Sequence, residues 1–363
     1  MKILIFSLSY FPLVGGAEIA VRNITDRIPE IEFDMVTLRF NKKDSEFEKI
    51  GNVNVYRIGG GWGYFSKILF VFQATFFALR RKYDLYWAMM TYMLFPIVIG
   101  RFLGFRTSYI LTLQDGDPFS HVFNRWFILP FRPLLLYGFR HAHKVQAISH
   151  FLALWAVQAG YRGKTYVVPN GVDVNRFKIQ DLGFKNKEET ILVTTSRLVE
   201  KNGIIYLIES MKYLPENVKL KIIGSGPLES KLKSHSRIIN LESRISFIGE
   251  VPNSDVPKYL SEGDIFIRPS LSEGQGISFL EAMASGLPVI ATPVGGILDF
   301  LKDGETGLLV PPKDPRAIAF QVQKLLSDRI LYDKITINAR RMVAEKYDWN
   351  LIAREMKSNV FNI

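Results

Sequence analysis

The sequence predicts an α/β protein of two lobes, each a doubly wound parallel sheet with helices on both faces. Two series of short apolar strands alternate with helical stretches along the chain, as strand–helix–strand crossovers require. The 363 residues are more than one domain usually needs, and they suit two domains of roughly 170 residues each. An Asn-Gly turn signal at 170–171 closes the first series, so the predicted lobes cover residues 1–175 and 176–345.

The first series begins with the strand KILIFSLSY, a glycine loop at 14–18 and a helix over about residues 17–28. Its later strands are short runs rich in β-branched and aromatic residues, which favour extended structure. They are FDMVTLR (33–39), VNVYRI (53–58), LYWAM (85–89), SYILTLQ (108–114), KVQAIS (144–149) and TYVVP (165–169).

The second series has the same alternation, and a last helix over residues 346–363 could pack back on the first lobe. Its strands are TILVTTSRL (190–198), KLKIIGSGP (219–227), ISFIGEV (245–251), IFIRPS (265–270), PVIAT (288–292) and GLLV (307–310). Its predicted helices cover about 203–212, 227–237, 254–261 and 277–285. Because parallel strands end at one edge of their sheet, we expect the ligand at the carboxyl ends of these strands.

Positive charge is concentrated in the first lobe. The whole chain carries a formal charge of +11, and residues 51–170 hold 13 Lys and Arg against three acids, a net +10. The aromatic residues of this stretch form long apolar runs, and they are not interleaved with basic residues as in single-stranded nucleic-acid sites. We therefore expect an anionic membrane surface, and not nucleic acid, as a partner of this lobe.

Two apolar stretches of the first lobe, residues 66–83 and 123–144, have helical character and basic ends. Each could pack between the sheet and a neighbouring helix, or could be partly exposed and enter the membrane interface. The uncharged run Leu85–Gly100 has 16 residues, fewer than the ~20 that a spanning helix needs, and Pro96 interrupts it. We therefore predict peripheral membrane association. The absence of cysteine excludes disulfides and thiolate metal sites.

The stretch LSEGQGISFLEAMAS, residues 271–285, joins a glycine-rich turn to a short apolar helix. Gly274 and Gly276 let the backbone approach a ligand closely, and the first N–H groups of the helix favour a phosphate there. Glu273 and Glu281 are hydrogen-bond acceptors when ionised, and the paired hydroxyls of a sugar are suitable donors. An ordinary helix-start turn with one solvated glutamate is the alternative interpretation.

Charged or glycine-containing turns also follow other strands of the second lobe. Arg197 and Lys201 come after its first strand, where two cations suit a diphosphate, although both could be surface charges of a loop. The turns GSGP, with Gly224 and Gly226, and TPVGG at 292–296 allow close backbone approach. GSGPLE lacks the last glycine of the G-x-G-x-x-G sequence, so the signal for a dinucleotide is weak.

Together these motifs resemble those of retaining glycosyltransferases of family 4. The resembling stretches are VGGAE (14–18), VPNGVD (168–173), SRLVEKNG (196–203), GSGP (224–227), EGQGISFLEAMASGLPVIAT (273–292) and VGGILDFLKDGETGLLVPPKD (294–314). The resemblance covers nearly the whole chain and is most specific over 168–314. It implies the GT-B fold, in which two Rossmann-like domains face a central cleft.

The resemblance implies a role for each matching residue. Glu273 would bind hydroxyls of the donor sugar, Glu281 would bind the ribose hydroxyls, and Arg197 would neutralise the diphosphate leaving group. Gly15 and Gly16 would offer backbone N–H groups to that diphosphate from the first lobe. The other donor-binding positions that it implies are Gly274, Gly276 and Ile277, with Gly224, Gly226 and Val251 at the base pocket. No side chain need act as nucleophile, since the acceptor hydroxyl attacks the face from which the diphosphate leaves.

Two positions depart from the family pattern. The usual phosphate-binding lysine is replaced by Asn202, so either Lys201 reaches the phosphates or Arg197 alone holds them. A histidine that many members place after the strand matched by SYILTLQ is replaced by Gln114, whose amide can bond a sugar hydroxyl. Any acid–base role at that place would pass to Asp115.

We therefore predict a retaining hexosyltransferase that moves a sugar from a UDP- or GDP-sugar to a lipid-linked or envelope-glycan acceptor. The second lobe would hold the donor and the first the acceptor, at the cytosolic face of a membrane, with no metal and no bound cofactor. Two alternatives stay open: an epimerase of the same fold, which needs no acceptor, and a non-catalytic nucleotide-sugar-binding protein.

Overall fold

The computed structural model describes residues 1–60, 65–177 and 188–362. The chain forms two compact units, the first comprising Met1–Asn170 with Trp349–Ile363 and the second Gly171–Asp348. The divisions after residues 170 and 348 lie five and three residues from the predicted boundaries at 175 and 345.

The first unit is built on a sheet to which the described residues contribute eight strands, in the order β3-β4-β2-β1-β5-β6-β7-β8. These are β1 Lys2–Phe6, β2 Glu32–Leu38, β3 Phe47–Ile50, β4 Val53–Ile58, β5 Leu85–Met89, β6 Ser108–Leu113, β7 Lys144–Ala147 and β8 Thr165–Val167. All neighbours are parallel except β3, which pairs antiparallel with β4 at the edge. The prediction missed β3 because none of its residues is buried, so it lacks the apolar run of an inner strand.

Helices cover both faces of this sheet, as parallel strands buried on both sides require. They are α1 Gly16–Asp26, α2 Phe65–Leu79, α3 Leu94–Phe102, α4 Phe119–Phe123, α5 Arg132–Arg140 and α6 His150–Gln158. Helices α2, α3, α5 and α6 contribute to one hydrophobic core, whereas α1 packs in the core of the opposite face. The stretch 123–144 is not one helix, because Pro130 and Pro133 interrupt it with a short 3₁₀ turn before α5 begins.

The second unit is built on a sheet to which the described residues contribute six strands, all parallel, in the order β11-β10-β9-β12-β13-β14. The strands are β9 Thr190–Thr195, β10 Val218–Ile223, β11 Ile245–Gly249, β12 Ile265–Arg268, β13 Val289–Ala291 and β14 Leu308–Leu309. Its helices are α7 Ile204–Ser210, α8 Glu229–Ile238, α9 Val256–Ser261, α10 Ile277–Ala284, α11 Pro315–Ser327 and α12 Arg329–Lys346. The predicted architecture of two parallel α/β sheets is therefore confirmed.

Helices α11 and α12 lie outside the predicted strand–helix series, although each begins at a clear capping residue. The side chain of Asp314 accepts a hydrogen bond from the Ala317 N–H, and that of Asp328 accepts one from the Leu331 N–H. Such caps satisfy N–H groups of the first turn that have no partner within the helix.

The chain ends with helix α13, Trp349–Glu355, which continues as a π-helical segment, Met356–Phe361. This segment belongs to the first unit, where it packs on α1 and buries Phe361 against Phe33 and Trp87. The Lys144 ammonium donates hydrogen bonds to the carbonyl oxygens of residues 359 and 360, at 2.8 and 3.1 Å. Side-chain packing and hydrogen bonds to backbone carbonyl oxygens together hold the end of the chain in this unit.

Candidate active site

Four loops meet at the carboxyl edge of the second unit's sheet, because β9, β10, β12 and β13 run parallel and end there. They cover residues 196–203, 224–228, 269–276 and 292–296. Backbone hydrogen bonds join three of them: the N–H of Leu198 donates to Ser225 at 2.8 Å, and that of Leu271 donates to Lys201 at 2.6 Å. The loops therefore form one connected surface.

Glycine is required where two of these loops touch a neighbouring chain segment. Gly224 has φ +125°, and a Cβ there would collide with the carbonyl oxygen of Ser196. Gly295 has φ +57°, and a Cβ there would collide with the carbonyl oxygen of Glu273. The next residue, Gly296, donates its N–H to that same oxygen at 3.1 Å. The 292–296 turn thus fixes the backbone that carries Glu273.

Helix α10 begins at this edge with its N-terminus uncapped by any described side chain. Its N-cap is Gly276, at φ +86° in the left-handed region, and Gly274 precedes it in a buried turn. The first N–H groups of a helix carry partial positive charge and need an acceptor. The helix start therefore lies where the sequence predicts it, and phosphate binding by Gly274, Gly276 and Ile277 stays a prediction.

Arg268 is a functional candidate that the sequence analysis missed. It is the last residue of β12 and is buried, and its guanidinium forms an ion pair with Glu273. The same group donates to the side-chain oxygens of Ser270, at 3.2 Å, and Ser278, and lies 4.5 Å from the ring centroid of Phe279. An arginine that ends the otherwise apolar strand IFIR is the sequence signal that could have identified it.

Glu273 is held on both sides of its carboxylate. Oε2 accepts from Arg268, and Oε1 lies 3.2 Å from the N–H of Gly274. Its side chain is only 15% exposed, so the carboxylate is fixed at the start of α10 and presents a small accessible area. This geometry suits an acceptor for a ligand hydroxyl whose position must be defined.

Glu281 lies about one turn after the start of α10 and is partly buried. Burial of the carboxyl group raises the pKa of Glu281 to about 7, and the positive charges of Arg176 and Arg268 oppose that rise. The same loss of hydration lowers the pKa of Arg268 to about 10. The site therefore contains a carboxyl group that titrates near neutral pH.

The raised pKa of Glu281 predicts a loss of stability as pH rises. Between about pH 4.5 and 7 the folded protein keeps a proton that the unfolded chain releases, so the free energy of unfolding should fall by about 3 kcal/mol across that window. Glu281→Gln should remove this part of the slope and leave the part due to the raised pKa of Asp115, and Glu305→Gln, at an exposed position of the same unit, should keep the full slope. Urea unfolding at pH 5 and pH 8 measures the slope. An equal slope in wild type and Glu281→Gln would contradict the assignment.

The cations predicted after β9 lie in the 196–203 loop. Arg197 is exposed and Lys201 is partly exposed, whereas Asn202 is buried. The Asn202 amide donates to the carbonyl oxygen of Arg197 at 2.7 Å. The residue at the position of the family's lysine therefore stabilises the loop backbone, and Lys201 is the residue that precedes it.

The base-pocket positions lie beside the 224–228 loop. The Gly224 N–H donates to the carbonyl oxygen of Gly249 at 2.7 Å, which joins the ends of β10 and β11. A Cβ at Gly226 would lie 2.5 Å from the carbonyl oxygen of Leu198, so this turn packs directly on the Arg197 loop. Val251 follows β11 and is partly buried against the apolar core beneath.

The remaining predicted residues lie in the first unit and are described within it. Gly15 and Gly16 are exposed at the start of α1, where the Glu18 carboxylate accepts a hydrogen bond from Ser9 at 2.6 Å. The side-chain oxygen of Gln114, just after β6, lies 3.3 Å from the amide nitrogen of Asn170.

Asp115, the candidate for acid–base chemistry, is buried next to Gln114. Its Oδ2 accepts a hydrogen bond from the Thr91 hydroxyl at 3.0 Å. Burial raises the pKa of Asp115 to about 6, and the Thr91 hydrogen bonds oppose the rise. A carboxyl group that titrates near pH 6 can exchange a proton under physiological conditions.

Models of two families match consecutive parts of the chain. "Glycosyltransferase Family 4" matches residues 14–176, and "Glycosyl transferases group 1" matches residues 175–342. The chain belongs to the group 1, or family 4, glycosyltransferases. The second match contains all four loops at the edge of the six-stranded sheet, and the first contains the glycine loop at 14–18 and the Gln114–Asp115 pair.

The sequence is also similar to those of individual glycosyltransferases, which supports this assignment. The chain is 34% identical over 212 residues to an uncharacterized glycosyltransferase of Methanocaldococcus jannaschii, which covers 55% of this chain and 54% of that one. It is 31% identical over 205 residues to the capsular polysaccharide biosynthesis glycosyltransferase CapM of Staphylococcus aureus, covering 52% of each. These alignments therefore span about half the length of the curated relatives.

A solved structure shares the fold over its full length. The HepE protein of Anabaena, crystallised with UDP-glucose, superposes with a TM-score of 0.82 at 21% identity and covers 100% of both chains. At that identity the likeness establishes the GT-B fold of this glycosyltransferase.

Proposed function

We propose that this protein is a retaining, metal-independent glycosyltransferase that uses a nucleoside-diphosphate sugar. The observation that carries the proposal is the set of groups at one sheet edge of the second unit. An uncapped helix start at Gly276, the cations Arg197 and Lys201, and the acceptor Glu273 lie in connected loops, and the acceptor Glu281 lies in the helix that starts there. A diphosphate flanked by two sugar rings has complementary chemistry, with anionic oxygens in the middle and hydroxyls on both sides.

In the proposed reaction the bond between the donor sugar and the diphosphate breaks, and the acceptor hydroxyl attacks from the same face. Negative charge grows on the departing diphosphate, where Arg197, Lys201 and the N–H groups at α10 would stabilise it. The departing phosphate takes the proton of the acceptor hydroxyl. Asp115, with its pKa near 6, is the candidate for any further proton exchange.

UDP is the nucleotide that we favour, because HepE, which shares the fold, was crystallised with UDP-glucose. In a thermal-shift screen of UDP-, GDP- and ADP-sugars with EDTA present, one ligand should stabilise the second unit. At ~100 times its Kd the expected gain in unfolding free energy is about 2.7 kcal/mol. If no nucleotide-sugar stabilises the protein, with or without Mg²⁺, the donor assignment is overturned.

Incubation of the protein with the stabilising donor alone distinguishes a glycosyltransferase from an epimerase, because an epimerase would yield an isomerised nucleotide-sugar without an acceptor.

The acceptor that we propose is a lipid-linked or envelope glycan at the cytosolic membrane face. CapM, a relative, acts in capsular polysaccharide biosynthesis by its name. Among the described residues, no helix has both the length and the apolar character needed to cross a membrane. A membrane acceptor would then be reached from the surface, and the first unit offers a suitable face.

That face is the outer side of α2. Phe65, Ile68, Leu69, Phe72, Phe76 and Leu79 form a stripe at helical spacing in which every side chain is at least 41% exposed. Cations flank it at Lys67 and at residues 80–82. Exposed aromatic and aliphatic side chains between basic groups are the composition of helices that lie in an anionic bilayer interface.

Phe72→Ser combined with Phe76→Ser should weaken binding to vesicles containing phosphatidylglycerol by about tenfold or more. The reason is that the transfer of two phenyl rings from water into the bilayer interface no longer contributes to binding. The matched control is Phe320→Ser with Ile330→Ser, which removes two exposed apolar side chains from the second unit. Vesicle co-sedimentation at several salt concentrations is the measurement. Equal binding of both double variants would refute the α2 surface, and equal binding to neutral vesicles would refute the electrostatic part.

A further inference from the structure

The first unit contains a cavity of about 460 Å³ that the proposed donor chemistry does not use. It lies between the segment 118–124, the start of α5 and helix α6, and its volume is within the ~300–1,000 Å³ typical of small-molecule sites. Its lining residues come from the first unit alone: Pro118, Phe119, Ser120, Asn124, Arg132, Phe151, Leu154, Trp155 and Gln158.

One side of the cavity is an aromatic wall. Phe119 and Phe151 meet the ring of Trp155 edge to face, at centroid distances of 5.4 and 6.2 Å. Trp155 is 2% exposed and anchors the wall in the core, while Leu154 beside it is 66% exposed. Such a wall offers apolar contact to a hydrocarbon chain, and its exposed end lets the chain leave toward a lipid phase.

The cavity also contains a guanidinium with unused hydrogen-bonding capacity. Nη1 of Arg132 donates to Oδ1 of Asn124 at 3.3 Å. Its Nε is shielded from solvent and has no hydrogen-bond partner in the part of the chain that the structure describes. A shielded donor without a partner costs free energy, and an anion that accepts from the Nε edge of the guanidinium would remove that cost.

The surroundings favour an anion strongly. Residues 118–172 contain six Lys and Arg and neither Asp nor Glu. The acid that precedes this stretch, Asp117, lies 3.6 Å from Arg125. The lining itself contains Arg132 and no acidic residue, so a ligand carboxylate or phosphate would meet a cation without a carboxylate in the lining to repel it.

Exposed apolar side chains next to the cavity distinguish a lipid from a soluble glycan. The segment between the lining residues Asn124 and Arg132 carries Trp126, Leu129 and Phe131, all at least 48% exposed. A water-soluble sugar gains nothing from such a border, whereas a chain embedded in a bilayer would continue across it.

We infer that this cavity binds a phosphate carried on an apolar chain, with the phosphate on Arg132 and the chain along Phe119, Phe151 and Trp155. Two sources share this chemistry: the lipid-phosphate end of a lipid-linked acceptor, and a phospholipid of the bilayer. The assignment to the acceptor rests on the proposed function, whereas the binding itself does not.

Isothermal titration of the full chain with geranyl phosphate tests the inference. Wild type should bind it, and Arg132→Gln should weaken binding about tenfold or more, because a charge-assisted hydrogen bond is lost. Arg140→Gln, at an exposed position at the other end of α5, should bind within twofold of wild type. Leu154→Glu, which places an acid at the exposed end of the aromatic wall, should also weaken the binding of geranyl phosphate. An unchanged circular dichroism spectrum and an unchanged thermal midpoint in each variant show that the first unit is folded.

Comparison ligands define the outcomes. Geraniol and inorganic phosphate should each bind more weakly than geranyl phosphate, because geraniol contacts only the aromatic wall and inorganic phosphate contacts only Arg132. If geranyl phosphate binds more tightly than dihexanoyl phosphatidylglycerol, the natural ligand is the lipid-phosphate end of the acceptor. If dihexanoyl phosphatidylglycerol binds more tightly, the natural ligand is a phospholipid of the bilayer. Both results support the inference. No binding of either, equal binding by Arg132→Gln, or binding of methyl glycosides alone would overturn it. If donor hydrolysis persists in that case, the proposed function stands and only this inference fails.

Discussion

Arg197→Ala is expected to lower kcat by about 10²–10³-fold, the effect of removing one preorganised group from a developing charge. Arg197 is exposed in the loop after β9, and Asn202 fixes its backbone carbonyl at 2.7 Å. Its guanidinium is proposed to stabilise the diphosphate as the sugar departs, an interaction that strengthens in the transition state. Donor hydrolysis at saturating UDP-sugar measures the effect without knowledge of the acceptor.

Two variants make this result specific. Arg197→Lys should recover part of the lost rate, because an ammonium keeps the charge but not the bidentate geometry. Arg237→Ala, which removes an exposed arginine from α8 of the same unit, should leave kcat unchanged. A rate for Arg197→Ala within twofold of wild type would exclude the proposed role.

Arg268→Leu is expected to lower the free energy of unfolding by about 3–5 kcal/mol, because it leaves the partner carboxylate of a buried ion pair unpaired. The lost partners are Glu273 and the hydroxyls of Ser270 and Ser278, which the guanidinium joins at the start of α10. Urea unfolding measures the loss. The double variant Arg268→Leu, Glu273→Gln should lose less than the sum of the two single variants, because neither charge is then left alone.

The matched control is Arg329→Leu in the same unit. Arg329 pairs with Asp333 at 2.9 Å, but both side chains are at least 44% exposed, so the expected loss is about 0.5 kcal/mol or less. If Arg268→Leu costs no more than this control, the ion pair does not organise the turn.

The sheets were predictable because parallel strands buried on both faces appear as continuous apolar runs. β12, β13 and the loops after them could be placed from IFIRPS and PVIAT alone, and Gly276 and Gly295 marked the turns. Strand β3 escaped detection because its residues face solvent, and the stretch 123–144 was misjudged because prolines divide it.

The details of the site were less accessible to sequence reasoning. Arg268 was overlooked because its ion pair with Glu273 depends on how the 269–276 loop folds back over the strand end. The role of Asn202 in holding the Arg197 carbonyl likewise follows from loop conformation. Sequence motifs indicate which residue types are present, and the hydrogen-bond partners that orient them depend on the tertiary structure.

The chain leaves the first unit after Asn170 and returns to it at Trp349, so the second unit is an insertion within the first. Hybrids between relatives therefore need two crossover points, and residues 171–348 are the natural cassette to exchange. A hybrid spliced at one point would combine the terminal helix of one parent with the sheet of the other, where Phe361 must fit between Phe33 and Trp87. With both junctions kept, such a hybrid would exchange the unit that we propose to bind the nucleotide while the unit that we propose to bind the acceptor stays constant.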